Sequence, residues 1–157
     1  MPPSSEAEKR GYDQVLWLFG EEHTITEVGC MNVFFVMRDP DTKKKQIVTA
    51  PLTRGDILPG ITRQSIIELV KGWGADFEVV ERFPTMPEIH EAAMNGNLIE
   101  AFGAGTAAVV APISCIEYKG VDIEIHATGE VAKRVWKELT DIQYGRLDGP
   151  DGWSHLV

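Results

Sequence analysis

Cysteine is scarce. Cys30 and Cys115 are the only two thiols in 157 residues, which excludes a disulfide framework and fits a reducing compartment. Basic charge is also short: 15 Lys and Arg stand against 24 Asp and Glu, for a net charge of −9. That balance argues against nucleic acid and anionic membrane as partners. No apolar run reaches the ~20 residues a bilayer-spanning helix needs. The opening MPPSSEAEKRGYD has neither the apolar centre of a secretory signal nor the Arg-rich, acid-poor bias of a transit peptide. Residues 1–13 therefore read as a disordered lead, and the cytoplasm as the compartment, or the mitochondrion if an upstream segment precedes. The four histidines, His23, His90, His126 and His155, show no ligand spacing, so a metal site is not expected. None of the serines sits in a nucleophile-elbow context.

What remains is ordinary globular composition, 43% hydrophobic and 25% charged, enough for one domain with a sizeable core. Gln14–Phe19 reads as a compact strand. Thr24–Met37 reads as a second, longer one, paired with Gln46–Pro51 across the Asp39-Pro40-Asp41 turn and its flanking Lys43-Lys44-Lys45. From about Thr62 to Trp73 the period changes: Ile66, Ile67, Leu69, Val70 and Trp73 form a helical stripe that Gly72 and Gly74 end. Phe77–Phe83 returns to alternation. Thr85 and Glu88 have the spacing of a capping box before a short helix. Leu98–Phe102 is a strand broken by Gly103-Ala104-Gly105-Thr106, and Ala107–Ile113 resumes it. Tyr118-Lys119-Gly120-Val121 is a hairpin turn, and Gly129–Tyr144 an amphipathic helix with Val131, Val135, Leu139 and Ile142 inward. The expected fold is α+β, a mostly antiparallel sheet or partial barrel with flanking helices, over a domain of residues 14–157.

Three local features bear on chemistry. Glu27 lies in the apolar run Ile25–Val28, and a buried carboxylate is costly unless paired. In Leu58–Arg63, Pro59-Gly60 bends the chain just ahead of a helix, so the amides of Ile61 and Thr62 form the kind of free helix terminus that binds phosphate. Gly103-Ala104-Gly105-Thr106 allows close backbone approach and adds a hydroxyl. Each has a plainer reading: a turn before a helix, a β-bulge, and a glutamate that is solvated or paired with Arg63 or Arg82. A strand carboxylate in a phosphate-binding domain can instead face a protonated ring nitrogen, as in pyridoxal phosphate enzymes.

Taken together, LWLFGEEHTITEVGCMNVFF, LPGITRQSI, FGAGTAAVVAPI, YKG and LTDIQYGRLDGPDGW resemble the C-terminal half of branched-chain amino acid aminotransferases, which are fold-type IV pyridoxal phosphate enzymes. The likeness runs from about Gln14 to Trp153, in order and in register. It implies pyridoxal 5′-phosphate as cofactor, with branched-chain amino acids and 2-oxo acids as substrates and a homodimer in full-length relatives. By this resemblance Glu27 holds the pyridine nitrogen, the Ile61 and Thr62 amides grip the phosphate, and the Thr106 hydroxyl completes the grip. Ala107 then offers an amide to the substrate carboxylate, and Cys30 stands near it.

The sequence also departs from the family. Cys30 replaces a threonine; it serves either as a weaker donor or as a small buried hydrophobe. Ala108-Val109-Val110-Ala111 stands where vertebrate members carry a Cys-x-x-Cys pair, and Cys115 is an ordinary thiol. The family's Schiff-base lysine lies upstream of the matched region, as do a tyrosine near the ring and a phosphate-clamping arginine. Lys9 lacks the family context, and Lys71, Lys119, Lys133 and Lys137 fall on helix faces or in turns. No catalytic lysine is therefore assigned, and the chain is expected to be truncated and inactive alone. The rival readings are a non-catalytic cofactor-binding or dimerising pseudo-enzyme, another fold-type IV enzyme such as a lyase, and a gene fragment with exposed apolar surface.

Overall fold

The computed structural model describes residues 2–55, 57, 59–106, 109–146 and 149. Four helices and nine strands are found among them. In chain order they are α1 (Pro3–Lys9), β1 (Leu16–Phe19), β2 (Thr24–Val28), β3 (Met31–Arg38), β4 (Lys45–Thr49), α2 (Ile61–Lys71), β5 (Phe77–Glu81), α3 (Met86–Met94), β6 (Leu98–Gly105), β7 (Val109–Pro112), β8 (Cys115–Tyr118), β9 (Val121–Glu124) and α4 (Glu130–Gln143). No helix among the described residues is long and apolar enough to cross a membrane.

Strand β3 organises the molecule. Asn32 through Met37 are all buried, the continuous pattern expected of a strand covered on both faces. On one face Val33, Phe35 and Met37 pack with Met86 and Ile89 of α3 and with Ile116 and Ile123 of the β8–β9 hairpin. On the other, Phe34 and Val36 pack with Ile66, Ile67 and Val70 of α2 and with Val131, Val135 and Leu139 of α4. One edge of β3 is taken by β6, from Asn32↔Ala104 to Met37↔Leu98. Its other edge is shared: β2 pairs only at Glu27↔Asn32 and Val28↔Met31, and β4 takes over from Phe34↔Thr49. The sheet is antiparallel except for β4 and β5, which run parallel with α2 as their crossover.

The expected α+β class and mostly antiparallel sheet are observed, as are the Thr85–Glu88 capping box and the Tyr118–Val121 hairpin. Three local expectations change. The single long strand over Thr24–Met37 is a hairpin: Gly29 and Cys30 form its two-residue turn, with Gly29 at φ +57°, a conformation that favours glycine. A Cβ there would also overlap the Gln14 carboxamide. Gly103 and Gly105 do not break β6, which runs through them. Cβ atoms at either position would come within 3.0 Å of the Met31 side chain, so the glycines make room for that methionine. Residues 3–9 of the lead form α1, with Pro3 in the first turn and Lys9 in the last. Arg10 Nη2 then donates to Glu117 Oε1 at 3.1 Å and Tyr12 Oη to Asp122 Oδ1 at 3.2 Å, tying the lead to the β8–β9 hairpin.

Helix α4 starts on an N-cap, Gly129, that brings no side chain. Its free amides are served from the sheet. Glu100 of β6 is 2% exposed, and its Oε2 accepts from Val131 N–H at 2.7 Å and its Oε1 from Ala132 N–H at 3.4 Å. Burial raises the Glu100 carboxyl above its ordinary range, and the two helix amides pull it only partly back. Since the folded value exceeds the unfolded one, the linked stability is complete below the ordinary glutamate value of about 4.3 and is lost as pH rises through the folded value. Denaturant midpoints measured from pH 4 to pH 8 are expected to show the chain losing stability relative to Glu100→Gln as pH rises. A difference that instead grows in favour of the glutamate as pH rises would contradict this.

Candidate active site

Register places Glu27 in a lateral row. It lies opposite Trp17 of β1 on one side and Asn32 of β3 on the other; Asn32 lies opposite Ala104 of β6, and Ala104 opposite Val110 of β7. Cross-strand partners share a face, and Ala104 and Val110 belong to the layer packed by α2 and α4. Glu27 therefore sits on the sheet face that carries α2. It is half-buried rather than buried. The two guanidinium groups that the sequence offered it are engaged elsewhere: Arg63 pairs with Glu81, and Arg82 with Glu88.

The N-terminus of α2 meets this row. Gly60 is its N-cap, with no side-chain cap hydrogen bond, and a Cβ on Gly60 would overlap Oδ1 of the buried Asn32. Ile61, Thr62 and Arg63 are the first three residues of the helix. An α-helix leaves its first amides without intrahelical acceptors, under a favourable dipole. At the end of β6, Gly105 pairs with Val109, and the exposed Thr106 follows it, two positions beyond Ala104 of the row. Glu27, the α2 start and Thr106 are thus brought to one region by three elements distant in the chain.

Arg63 fixes the helix. It is 1% exposed, and its Nη2 donates to the carbonyl of Ala50 at 2.8 Å and to Glu81 Oε1 at 2.7 Å. A cleft of about 710 Å³ opens beside it, between the start of α2 at Gly60 and Ile61 and the end of α4 at Leu139 and Ile142.

Other expected residues fall differently. Cys30 is exposed at the β2–β3 turn, which removes its reading as a buried hydrophobe. Ala107 lies outside the described residues, as does the Asp151–Trp153 end of the C-terminal motif. Four lysines fall on helices or in a turn, as the sequence suggested. Lys71 ends α2, about 15 Å from the helix start at 1.5 Å per residue. Lys119 is in the β8–β9 turn, and Lys133 and Lys137 are on α4. Asn32 had no assigned role in the sequence, Gly60 was read only as a bend and Arg63 as a candidate partner of Glu27; for Asn32, an amide inside the apolar run Met31–Met37 was the visible signal.

The donor set suits a molecule with an anionic end and a cationic ring. The row carries a half-buried carboxylate, Glu27, and a glycine-capped helix start lies against the same row, where the missing Cβ lets the helix approach Asn32. Among the described residues no group of three His, Cys, Asp or Glu could hold a metal ion.

Comparison with known proteins identifies a family. The profile of the family described as Amino-transferase class IV matches residues 3–116. The cytosolic branched-chain-amino-acid aminotransferase of Saccharomyces cerevisiae is 47% identical over 162 residues, covering 99% of this chain and 43% of the relative. The branched-chain amino acid aminotransferase of Escherichia coli superposes with a TM-score of 0.72 at 28% identity, over 98% of this chain and 45% of that one. The enzyme from Thermobaculum terrenum, solved in its PLP form, gives a TM-score of 0.71 at 30% identity, over 92% of this chain and 41% of that one. The chain thus spans less than half the length of the relatives it matches.

The Arg63 arrangement makes a prediction about stability. Removing Glu81, itself 43% exposed, leaves a buried cation facing one carbonyl, so Glu81→Ala is expected to cost about 1–2 kcal/mol, less than the loss of a fully buried partner because solvent screens the pair. Arg63→Met in the same background should recover most of that loss, because it removes the stranded charge. Urea denaturation of both variants checks this, and a double variant less stable than Glu81→Ala would refute it.

Proposed function

Because the chain belongs to the class IV amino-transferases, we propose that it is the cofactor-binding part of a branched-chain amino acid aminotransferase, which moves the amino group of leucine, isoleucine or valine to 2-oxoglutarate with pyridoxal 5′-phosphate. The observation that carries this reading is the meeting of the Glu27–Asn32–Ala104 row with the glycine-capped start of α2. Bound there, pyridoxal phosphate supplies an electron sink for the substrate α-carbon.

The chain's own residues hold and orient. The Glu27 carboxylate keeps the proton on the pyridine nitrogen, and that pairing offsets the cost of its partial burial. The amides of Ile61 and Thr62 take the phosphate at the helix dipole's positive end, joined by the Thr106 hydroxyl. The Ala107 amide, together with Cys30, serves the substrate carboxylate. The exposed Trp17 lies opposite Glu27, and the exposed Ile61 opens α2. Their exposure is what the remaining length of the longer relatives would cover, including a dimer partner. Among the described residues no lysine is assigned to attack the aldehyde, and the 157-residue chain is expected to transaminate little or not at all alone.

A pyridoxal phosphate titration of the purified chain tests the reading. Saturable binding is expected, with no single lysine trapped by borohydride. Glu27→Gln removes a charge-assisted hydrogen bond of roughly 1.5–3 kcal/mol, about a 10- to 100-fold loss of affinity. Absence of binding, or parent affinity in Glu27→Gln, overturns the assignment. A stoichiometric lysine adduct or leucine-dependent glutamate formation would overturn the predicted inactivity.

A further inference from the structure

Nothing in the backbone of Gly60 calls for glycine. Its φ is −61° and its ψ 133°, an extended conformation open to any residue. What bars a side chain is a contact, since a Cβ at this position overlaps Oδ1 of Asn32. The Asn32 side chain, whose tip would have to shift to admit that Cβ, is enclosed. It is 6% exposed, held on β3 between Glu27 of β2 and Ala104 of β6 in register. The Cβ of Arg63, the third residue of the helix, lies 3.5 Å from the same Gly60 position. Asn32 is thus a polar group in the apolar run Met31–Met37, set where the Glu27 strand and the start of α2 meet.

We propose that Asn32 is a positioning residue that sets the spacing between the Glu27 carboxylate and the α2 N-terminus, and so matches the site to a ligand with a cationic ring at one end and a phosphate at the other. This rests on the functional reading above. The chemistry of the side chain suits the task. A carboxamide is donor and acceptor at once, so one short, stiff side chain can face a carboxylate on one side and a helix terminus on the other. An apolar residue of equal size would fill the space without offering either neighbour a hydrogen bond. Gly60 is the matching half of the device: without a Cβ it lets the helix come down onto the carboxamide, and so fixes the height of the helix over the row.

The experiment compares the full chain with Asn32→Ala, Gly60→Ala and the double variant. It measures pyridoxal phosphate affinity, the absorption band of the bound cofactor and the melting transition of each. Both single changes disturb one spacing, so each is expected to weaken binding about tenfold and their effects should not multiply. The double variant should bind about as Asn32→Ala does. The bound cofactor's band, which reports the state of the ring nitrogen, should move toward that of the free cofactor in Asn32→Ala; a residue that merely stabilised the fold would change the melting transition and leave the band in place. Should the alanine variant fail to fold, Asn32→Asp keeps the shape and puts a second carboxylate opposite Glu27, and the same band is expected to shift. Losses that multiply, or an unmoved band in the Asn32 variants, overturn the role of Asn32 while leaving the functional reading intact. Absence of binding by the parent chain overturns the functional reading and this role with it.

Discussion

A β-strand has two edges and two faces, and in β3 all four are used. β6 lies along one edge, β2 and β4 divide the other, and the two hydrophobic layers close over its faces. The division of one edge between two partners has a geometric result. Because β4 takes over at Phe34, β2 is released after two residue pairs, and Glu27 lies in the second of them, between Trp17 of β1 and Asn32 of β3. There a carboxylate is half-buried, shielded enough to hold a cationic partner and open enough to receive one. The helix that meets it is fixed from the opposite side by Arg63, whose contacts reach the end of β5 and the segment just after β4.

Two helices of the same layer solve the same problem by different means. Both α2 and α4 start on glycine and lack a side-chain cap. For α4 the sheet supplies Glu100, buried and aimed at the first amides. For α2, by contrast, the neighbouring sheet residue is the neutral Asn32. A helix start already satisfied by a carboxylate has no use for an external anion. The difference between Glu100 and Asn32 thus separates a structural helix terminus from one suited to a ligand.

Much of this was readable in the residues. The stripe from Ile66 to Val70, the Thr85–Glu88 box and the Tyr118–Val121 turn are local patterns whose meaning does not depend on distant residues, and the structure agrees with each. Glycine was the difficulty. Gly29 sits in a run that reads as continuous strand yet turns the chain, while Gly103 and Gly105 read as a break yet continue one. What separates these cases is the neighbour: Gln14 for Gly29, and Met31 for the pair in β6. No local pattern reveals a neighbour so far along the chain. The same holds for the candidate site. Glu27, the Ile61–Thr62 amides and Thr106 stood out singly, and the resemblance to a family joined them, whereas the contact of Asn32 with Gly60 belongs to the tertiary structure alone.

The central pairing of β3 with β6 also governs the order of assembly. Strands β2, β3 and β4 follow one another in the chain and can meet through short turns, on the microsecond scale of hairpin formation. Strand β6 arrives from roughly seventy residues away, and closing that loop costs entropy before any contact repays it. Until it docks, one edge of β3 and one flank of each hydrophobic layer stay open to water and to other chains. The region that unites Glu27, α2 and Thr106 is therefore completed late in folding, and the nascent chain is most exposed to misassociation in the interval before β6 closes it.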